Sequence, residues 1–230
     1  MIKKPIPKKN RKNSKKTKPQ IYMKYGLIVL LGLFILIGGF QIVKVIRINA
    51  NKYSEHSSDA IDAAQPKMNV DLLTLNEYSR PGIESDKITG IVVHYTANPG
   101  STAKENRDYF EGLKDSHITQ ASSRFIVGLE GEIIQCIPTW EYAYASNDRN
   151  HNTVSIECCH PDKTGEFTTE TYNSLVKLTA WLCQKFDLTE KEVIRHYDVT
   201  GKNCPKYYVE HEKEWEQFIK FVKRELDDKK

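Results

Sequence analysis

The chain has 230 residues, with 34 Lys and Arg against 30 Asp and Glu, and 39% of its residues are hydrophobic. This composition fits one globular domain with additional segments, and it excludes collagen-like, coiled-coil and wholly disordered proteins. Residues 1–47 contain 12 Lys and Arg and no acidic residue, whereas the remainder contains 22 Lys and Arg against 30 acidic residues. Because a remainder with a formal charge of −8 offers no general basic surface to a phosphate backbone, we expect no nucleic-acid partner.

The first 67 residues predict a membrane anchor and a tether. Residues 1–24 are rich in Lys and Pro and predict a disordered basic arm. Residues 25–43 carry no charge, and 19 residues at about 1.5 Å each are long enough to cross a hydrocarbon core of roughly 30 Å. The positive residues before this predicted transmembrane helix orient the amino terminus to the cytoplasm. Residues 44–67 are polar and rich in small residues, which indicates a flexible tether to an outward-facing domain at 68–230.

Two other interpretations of residues 25–43 compete with an uncleaved anchor. A cleaved signal peptide usually has an apolar region of about 7 to 15 residues before a small-x-small site, and Lys44–Ala50 is a poor site of that kind. A buried core helix is the other interpretation. The Lys-rich arm alone is also typical of nuclear-localisation or nucleic-acid-binding segments, but the adjoining apolar run favours a membrane protein that spans the bilayer once.

The outward-facing part alternates patterns that are typical of strands and helices. Ile88–His94 is apolar and β-branched, which predicts a buried strand. Ser101–Leu113 has apolar residues at helical spacing, with Ser101 as the expected amino-terminal cap. Phe125–Val127 and Glu132–Pro138 flank a Leu-Glu-Gly turn and predict a hairpin.

The second half of this domain continues the alternation. Thr153–Cys159 predicts a strand with Glu157 on one of its two faces. Thr169–Phe186 and a stretch around Trp215–Leu226 carry the apolar stripe of helices that lie on a sheet, and Lys191–His196 between them predicts a short strand. This order predicts an α/β fold, a single domain with a mixed central β-sheet flanked by helices.

Three side chains of this domain suggest a metal site. His94 and His196 both fall where an apolar strand gives way to a loop, and ligands collect at the carboxyl ends of strands in α/β sheets. Cys204 follows His196 closely, and Gly201 gives the intervening loop freedom to turn back. Two imidazoles and a thiolate suit zinc, and three protein ligands leave one tetrahedral position open, as in catalytic sites. Spacing alone leaves an alternative, in which His94 is a hydrogen-bonded strand-end histidine and Cys204 a buried apolar residue.

Four segments, in the right order, resemble the zinc-dependent N-acetylmuramoyl-L-alanine amidases. That family includes phage endolysins, bacterial autolysins and the peptidoglycan recognition proteins. The resemblance covers about residues 70–221, and the segments that carry it are Val92–Ala97, Gly128–Gln135, Ser155–Glu157 and Arg195–Asp198 continued by Cys204-Pro205.

The resemblance implies a function and the residues that perform it. Zinc (Zn²⁺) would be bound by His94, His196 and Cys204, with Glu157 and Lys202 assisting catalysis. The substrate would be peptidoglycan, cleaved by a zinc-activated water at the amide between the lactyl group of N-acetylmuramic acid and L-alanine of the stem peptide. Glu157 would transfer the proton, and Lys202 would stabilise the oxyanion. Without the resemblance, Glu157 is interpreted as a solvated strand residue and Lys202 as an ordinary loop cation.

One position departs from the family's pattern. Many relatives have a tyrosine, often followed by histidine, before the phenylalanine of the first hairpin strand, and this chain has Ser123 and Arg124 before Phe125. A serine hydroxyl cannot replace a phenol, so Glu157 is expected to make the larger contribution to catalysis. Arg124 is expected to face the acidic stem peptide. The loop before the Glu157 strand is expected to contact sugar or peptide through Tyr142, Tyr144, Asn147 and Asn150.

The five cysteines predict no disulfide framework. Assigning Cys204 to zinc leaves four, of which Cys158 and Cys183 have core-facing patterns. A ring between Cys158 and Cys159 would strain the backbone, so we expect free buried thiols.

The leading hypothesis is a monomeric, membrane-tethered peptidoglycan amidase on the outer side of a bacterial plasma membrane. A noncatalytic peptidoglycan-binding module of the same fold is the first alternative, although such modules commonly lose the metal cysteine and Cys204 is present. A zinc enzyme for anhydro-muropeptide recycling fragments is the second alternative, and it would suit a soluble compartment better than an anchored ectodomain.

Overall fold

Six strands and five α-helices make up residues 65–228, the part of the chain that the computed structural model describes. The strands are β1 (Asn69–Val70), β2 (Gly90–Tyr95), β3 (Phe125–Val127), β4 (Ile133–Gln135), β5 (Thr153–Cys158) and β6 (Val193–Arg195). The helices are α1 (Ala103–Ser116), α2 (Thr169–Lys185), α3 (His196–Thr200), α4 (Lys206–Glu210) and α5 (Glu212–Asp227).

The predicted arm, transmembrane helix and most of the tether lie outside the described residues. Between residues 65 and 228, none of the helices combines the length and the apolar character that crossing a bilayer requires. The membrane anchor at residues 25–43 therefore stays a prediction.

The strands form one mixed sheet in the order β1-β4-β3-β5-β2-β6. β3 and β4 pair antiparallel as the predicted hairpin, whereas the other neighbours run parallel. The predicted mixed sheet is thus confirmed. The register places His94 of β2 beside Glu157 of β5. Because side chains alternate between the faces of a sheet, these two leave the same face at its carboxyl-terminal end.

Hydrophobic side chains cover both faces of the sheet. Val154, Ile156 and Cys158 of β5 enter the larger core, which α2 and α5 also fill. Cys159 joins a smaller core with Ala103 and other residues of α1. This confirms the two-faced pattern predicted for the strand, and it gives three layers with α1 on one side of the sheet and α2 and α5 on the other.

The amino-terminal cap of α1 is Thr102, so the prediction of Ser101 was wrong by one residue. The Thr102 hydroxyl accepts a hydrogen bond from the Glu105 N–H, and the Glu105 carboxylate accepts one from the Thr102 N–H. This reciprocal pair is a capping box. The Ser101 hydroxyl instead donates to the Asn98 carbonyl and accepts from the Asn106 amide.

The strand predicted at Lys191–His196 is shorter than expected, because a 3₁₀ helix covers Glu190–Glu192 before it and His196 begins α3 after it. The Asp198 carboxylate accepts a hydrogen bond from the Arg195 N–H and pairs with the Arg195 guanidinium at 2.9 Å, which stabilises the start of this helix. Gly201 ends α3 in the left-handed region, with φ of 76°. The chain can therefore turn back and bring Cys204 to His196, as predicted for this glycine.

All five cysteines are free and buried, which confirms the prediction of buried thiols. Cys158 and Cys183 lie in the larger core. Burial raises the pKa of the Cys183 thiol to about 12, so this side chain acts as a small apolar residue at neutral pH.

Candidate metal centre and active site

The three side chains predicted to bind zinc converge at the carboxyl end of β2. The Nδ1 atoms of His94 and His196 are 3.1 Å apart, and Cys204 Sγ is 3.9 Å from His94 Nδ1. One potential ligand atom from each residue lies within 4.8 Å of the other two, and all three residues are buried. A tetrahedral zinc ion with bonds of about 2.0–2.3 Å holds its ligand atoms about 3.3–3.6 Å apart, so this donor set fits zinc in chemistry and closely in spacing.

The outer nitrogens of both imidazoles also have partners. His94 Nε2 lies 3.1 Å from Ser146 Oγ, and His196 Nε2 lies 3.0 Å from Asn147 Oδ1. Because an amide oxygen only accepts hydrogen bonds, Asn147 favours the tautomer of His196 with its proton on Nε2 and a free electron pair on Nδ1. The sequence predicted that Asn147 contacts the substrate, not that it contacts a histidine, and it predicted no role for Ser146.

Burial keeps both imidazoles neutral. Burial, together with the charges of His196 and Lys202, holds the pKa of His94 well below 6.5. Burial and Lys202 lower the pKa of His196 to about 4. Burial and the nearby Glu157 raise the pKa of the Cys204 thiol to about 12. The imidazoles are therefore ready to coordinate a metal, whereas the thiol must release a proton when it does so.

Glu157 approaches the three donors from the neighbouring strand. Its Oε1 lies 4.0 Å from His94 Nδ1, and its side chain is 17% exposed. Its Oε2 is buried and has no hydrogen-bond partner within residues 65–228. Burial raises the pKa of Glu157 to about 8, and the charge of Lys202 opposes that rise. A carboxyl group with a pKa near neutrality in a cleft is typical of general acid-base groups.

The five predicted site residues line one open cleft of about 350 Å³. Of the four loop residues predicted to contact sugar or peptide, Tyr144, Asn147 and Asn150 also line this cleft. Tyr142 is absent from its lining, and the Tyr142 hydroxyl accepts a hydrogen bond from Asn150 Nδ2. The remaining lining residues are Tyr95, Phe110, Gln120, Ala121, Ser122 and Ala145.

Arg124 does not face the cleft, so the prediction that it faces the stem peptide was wrong. The residue is 1% exposed, and its guanidinium donates to the Thr153 carbonyl and the Ser85 hydroxyl, both at 2.6 Å. Burial lowers the pKa of Arg124 to about 9, which leaves it charged at neutral pH. The Ser123 hydroxyl is also buried and donates to the Phe125 carbonyl. Both side chains therefore stabilise the sheet and its adjoining loops.

Fold and donor set together define an α/β domain with a His/His/Cys centre that opens into a polar cleft. The profile of the N-acetylmuramoyl-L-alanine amidase family matches residues 84–207, more than half of the chain. This segment contains all five predicted site residues. The chain therefore belongs to the N-acetylmuramoyl-L-alanine amidase family.

Individual relatives agree with this assignment. The N-acetylmuramoyl-L-alanine amidase CwlL of Bacillus licheniformis is 35% identical over 167 residues, which cover 67% of this chain and 46% of CwlL. A probable N-acetylmuramoyl-L-alanine amidase of the same species is 35% identical over 147 residues, or 59% of this chain and 41% of the relative. The chain thus spans less than half the length of these curated relatives. The solved structure of PlyL shares the fold, with a TM-score of 0.60 and 24% identity over 69% of this chain and 98% of PlyL.

Proposed function

We propose that the chain is a membrane-anchored amidase that hydrolyses the bond between the lactyl group of N-acetylmuramic acid and L-alanine of the stem peptide. The observation that carries this proposal is the cleft in which two imidazoles, a thiol, a carboxyl group and a lysine meet. Membership of the amidase family supports the choice of bond. Peptidoglycan is accordingly the proposed substrate.

The residues proposed to hold zinc are His94, His196 and Cys204. Their donor atoms already lie close to the spacing that this ion needs, and neutral imidazoles are available as ligands. A zinc ion bound there supplies Lewis-acid chemistry, which polarises a carbonyl group and makes water more acidic. His94 and Cys204 are also buried, which limits competition from bulk solvent.

Glu157 is proposed to move the proton. Its carboxyl group lies beside the donor cluster, so it can take a proton from the attacking water and deliver that proton to the departing alanine nitrogen. Lys202 is proposed to stabilise the negative charge that develops on the carbonyl oxygen as water adds. Both side chains line the cleft that holds the three donors, which supports these roles.

Residues 25–43 support the proposal of a single-pass anchor in a bacterial plasma membrane, with a cytoplasmic amino terminus. The catalytic domain would then work outside the cell as a monomer.

Mass spectrometry of digested peptidoglycan tests the activity. The full chain, purified in detergent, is assayed zinc-loaded and chelated, beside Glu157→Gln and the control Glu130→Gln in the exposed hairpin turn. We expect new L-alanine amino termini only with zinc, and a loss of about 10²-fold or more in Glu157→Gln, which still binds zinc. Zinc and peptidoglycan binding without any amide cleavage would instead identify a noncatalytic recognition module. Cleavage of anhydro-muropeptides but not of intact wall would identify a recycling enzyme.

A further inference from the structure

One loop contacts both imidazoles of the proposed metal centre. Ser146 Oγ lies 3.1 Å from His94 Nε2, and Asn147 Oδ1 lies 3.0 Å from His196 Nε2. His94 lies in β2 and His196 begins α3, yet consecutive loop residues meet their outer nitrogens. We propose that Asn150 is a positioning residue, which fixes this loop and thereby aims both imidazoles at a metal ion. The inference rests on the metal centre of the proposed function and deepens it.

The side chain of Asn150 bonds to the loop at several points. Its Oδ1 accepts hydrogen bonds from the Ala145 N–H at 2.9 Å and from the Ser146 N–H. Its Nδ2 donates to the Tyr142 hydroxyl at 3.2 Å. Asn150 is 9% exposed, so these bonds are largely shielded from competing water. The Asn150 amide group therefore fixes the backbone at Ala145 and at Ser146, the residue that contacts His94.

The backbone at Asn147 needs such support. Asn147 has φ of 50°, in the left-handed region that asparagine tolerates better than most residues. The Asn150 N–H donates to the Asn147 carbonyl at 3.0 Å, which closes a short 3₁₀ turn over Asn147–Arg149. This conformation directs the Asn147 amide oxygen at His196. This main-chain bond does not depend on the Asn150 side chain, whereas the bonds from the Ala145 and Ser146 N–H groups to its amide oxygen do. Without that side chain, residues 145–147 would be free to shift and lose both contacts with the imidazoles.

The far end of the loop is held by hydrogen bonds that do not involve the Asn150 side chain. The Arg124 guanidinium donates to the Thr153 carbonyl at 2.6 Å, and the Thr153 hydroxyl donates to the Arg149 carbonyl at 2.7 Å. These bonds anchor the start of β5 and do not reach residues 145–147. The orientation of the two rings therefore depends on Asn150 more than on the strand that follows it. Partners that orient metal-binding histidines change metal affinity about 10- to 100-fold when they are removed.

Zinc binding to Asn150→Ala in the full chain tests this role. Asn152→Ala is the matched control, because Asn152 lies in the same loop and, among residues 65–228, its side chain accepts only from Arg149 Nε at 2.8 Å. Zinc affinity is measured by competition with a chromogenic chelator, ligand geometry by the absorption spectrum of the cobalt-substituted protein, and folding by the melting temperature without metal. We expect Asn150→Ala to bind zinc about 10- to 100-fold more weakly with an altered cobalt spectrum, and Asn152→Ala to stay within about twofold of wild type.

Further variants complete the test. One restores the hydrogen bonds that Asn150 accepts, and the others remove the contact to each imidazole. Asn150→Asp keeps the oxygen that accepts from Ala145 and Ser146, and is expected to restore the cobalt spectrum. If Asn150→Ala does not fold, Asn147→Gly replaces it, because glycine tolerates the positive φ and removes the side chain whose amide oxygen contacts His196. Wild-type zinc affinity in Asn150→Ala, or in both Asn147→Gly and Ser146→Ala, would overturn the proposal, as would equal weakening by Asn152→Ala. The zinc measurements contain no peptidoglycan, so they do not depend on amidase activity. If Asn150→Ala binds zinc more weakly but the wild type cleaves no peptidoglycan, the proposed function is overturned and the role of Asn150 is not.

Discussion

Lys202 is the one Lys or Arg among the described residues that line the cleft, and its charge acts on several neighbours. Together with burial, it lowers the pKa of both His94 and His196. It also opposes the effect of burial on Glu157. A fixed positive charge at this place favours any state in which negative charge accumulates on a substrate oxygen.

Replacing Lys202 with methionine is therefore expected to lower kcat. A buried oxyanion donor contributes roughly 10²–10³-fold, and because Lys202 is exposed at the cleft we expect about 10- to 100-fold. The measurement is kcat and KM on a soluble muropeptide, with Lys202→Arg expected to retain most activity and Lys206→Met as the control. A change confined to KM would show that Lys202 binds the substrate equally in the ground and transition states.

Residue types suggested a candidate donor set, and the family resemblance identified its members as zinc ligands, but neither predicted the partners that orient the imidazoles. Spacing alone left open that His94 is a hydrogen-bonded strand-end histidine and Cys204 a buried apolar residue. Ser146 and Arg124 carry no such signal, because serine and arginine are ordinary in loops and at strand starts. Their contacts depend on where residues distant in the sequence come to lie, and only the fold determines that.

At the scale of elements, α1 secures the chain that enters the domain. The Arg107 guanidinium donates to the carbonyl groups of Asp71 and Leu72. One turn later, the Glu111 carboxylate accepts hydrogen bonds from the Thr74 N–H at 3.0 Å and the Thr74 hydroxyl at 2.6 Å. The helix that covers one face of the sheet thus also holds the segment that follows β1.

The Glu111 contact predicts a pH-dependent part of the stability. Burial alone would raise the pKa of Glu111, but hydrogen bonds from Thr74 and Lys114 and the charge of Arg107 lower it from 4.5 to about 2. Because the folded pKa is the lower one, this stabilisation is fully present above about pH 4.5 and is lost as the pH falls through 2. Glu111→Gln is expected to reduce the free energy of unfolding by about 1–2 kcal/mol at pH 6, and by progressively less toward pH 2.

Urea unfolding of the full chain at several pH values measures this difference. The exposed Glu216→Gln on α5 serves as the control and is expected to change the free energy by less than about 0.5 kcal/mol at each pH. If the loss in free energy of unfolding caused by Glu111→Gln stays constant from pH 6 to pH 2, the contact stabilises the fold through packing and not through the charge of Glu111.

Periodicity predicted the long elements well and their ends less well. α2 and α5 bury an apolar stripe along their length, and β5 directs Val154, Ile156 and Cys158 into the larger core, so these repeats are visible in the sequence. Ends depend on one or two bonds: Ser101 and Thr102 both offer a hydroxyl, and the position of Glu105 decided between them. Likewise, the pairing of Asp198 with Arg195 begins a helix at His196, which was predicted as the last residue of the strand.

At the scale of the whole molecule, the predicted tether would limit the distance between the cleft and a membrane. Met68, at the predicted start of the domain, packs against the larger core. A flexible tether over residues 44–67 has a root-mean-square reach of about 25–30 Å, since such chains extend about 5–6 Å times the square root of their length. An enzyme anchored by such a tether would act on peptidoglycan that lies next to the membrane.

Exchanging residues 1–43 for a cleaved secretion signal tests this restriction. Cells that carry the anchored or the released chain receive a short pulse of labelled wall precursor, and new L-alanine amino termini are then counted separately in labelled and older peptidoglycan. We expect the anchored chain to cut newly made wall preferentially, because new wall is added at the membrane, and the released chain to cut both pools alike. Glu157→Gln in each background corrects for other hydrolases. An identical preference in the anchored and released forms would show that the site of cleavage is set by recognition within the cleft, and the anchor would then serve only to retain the enzyme.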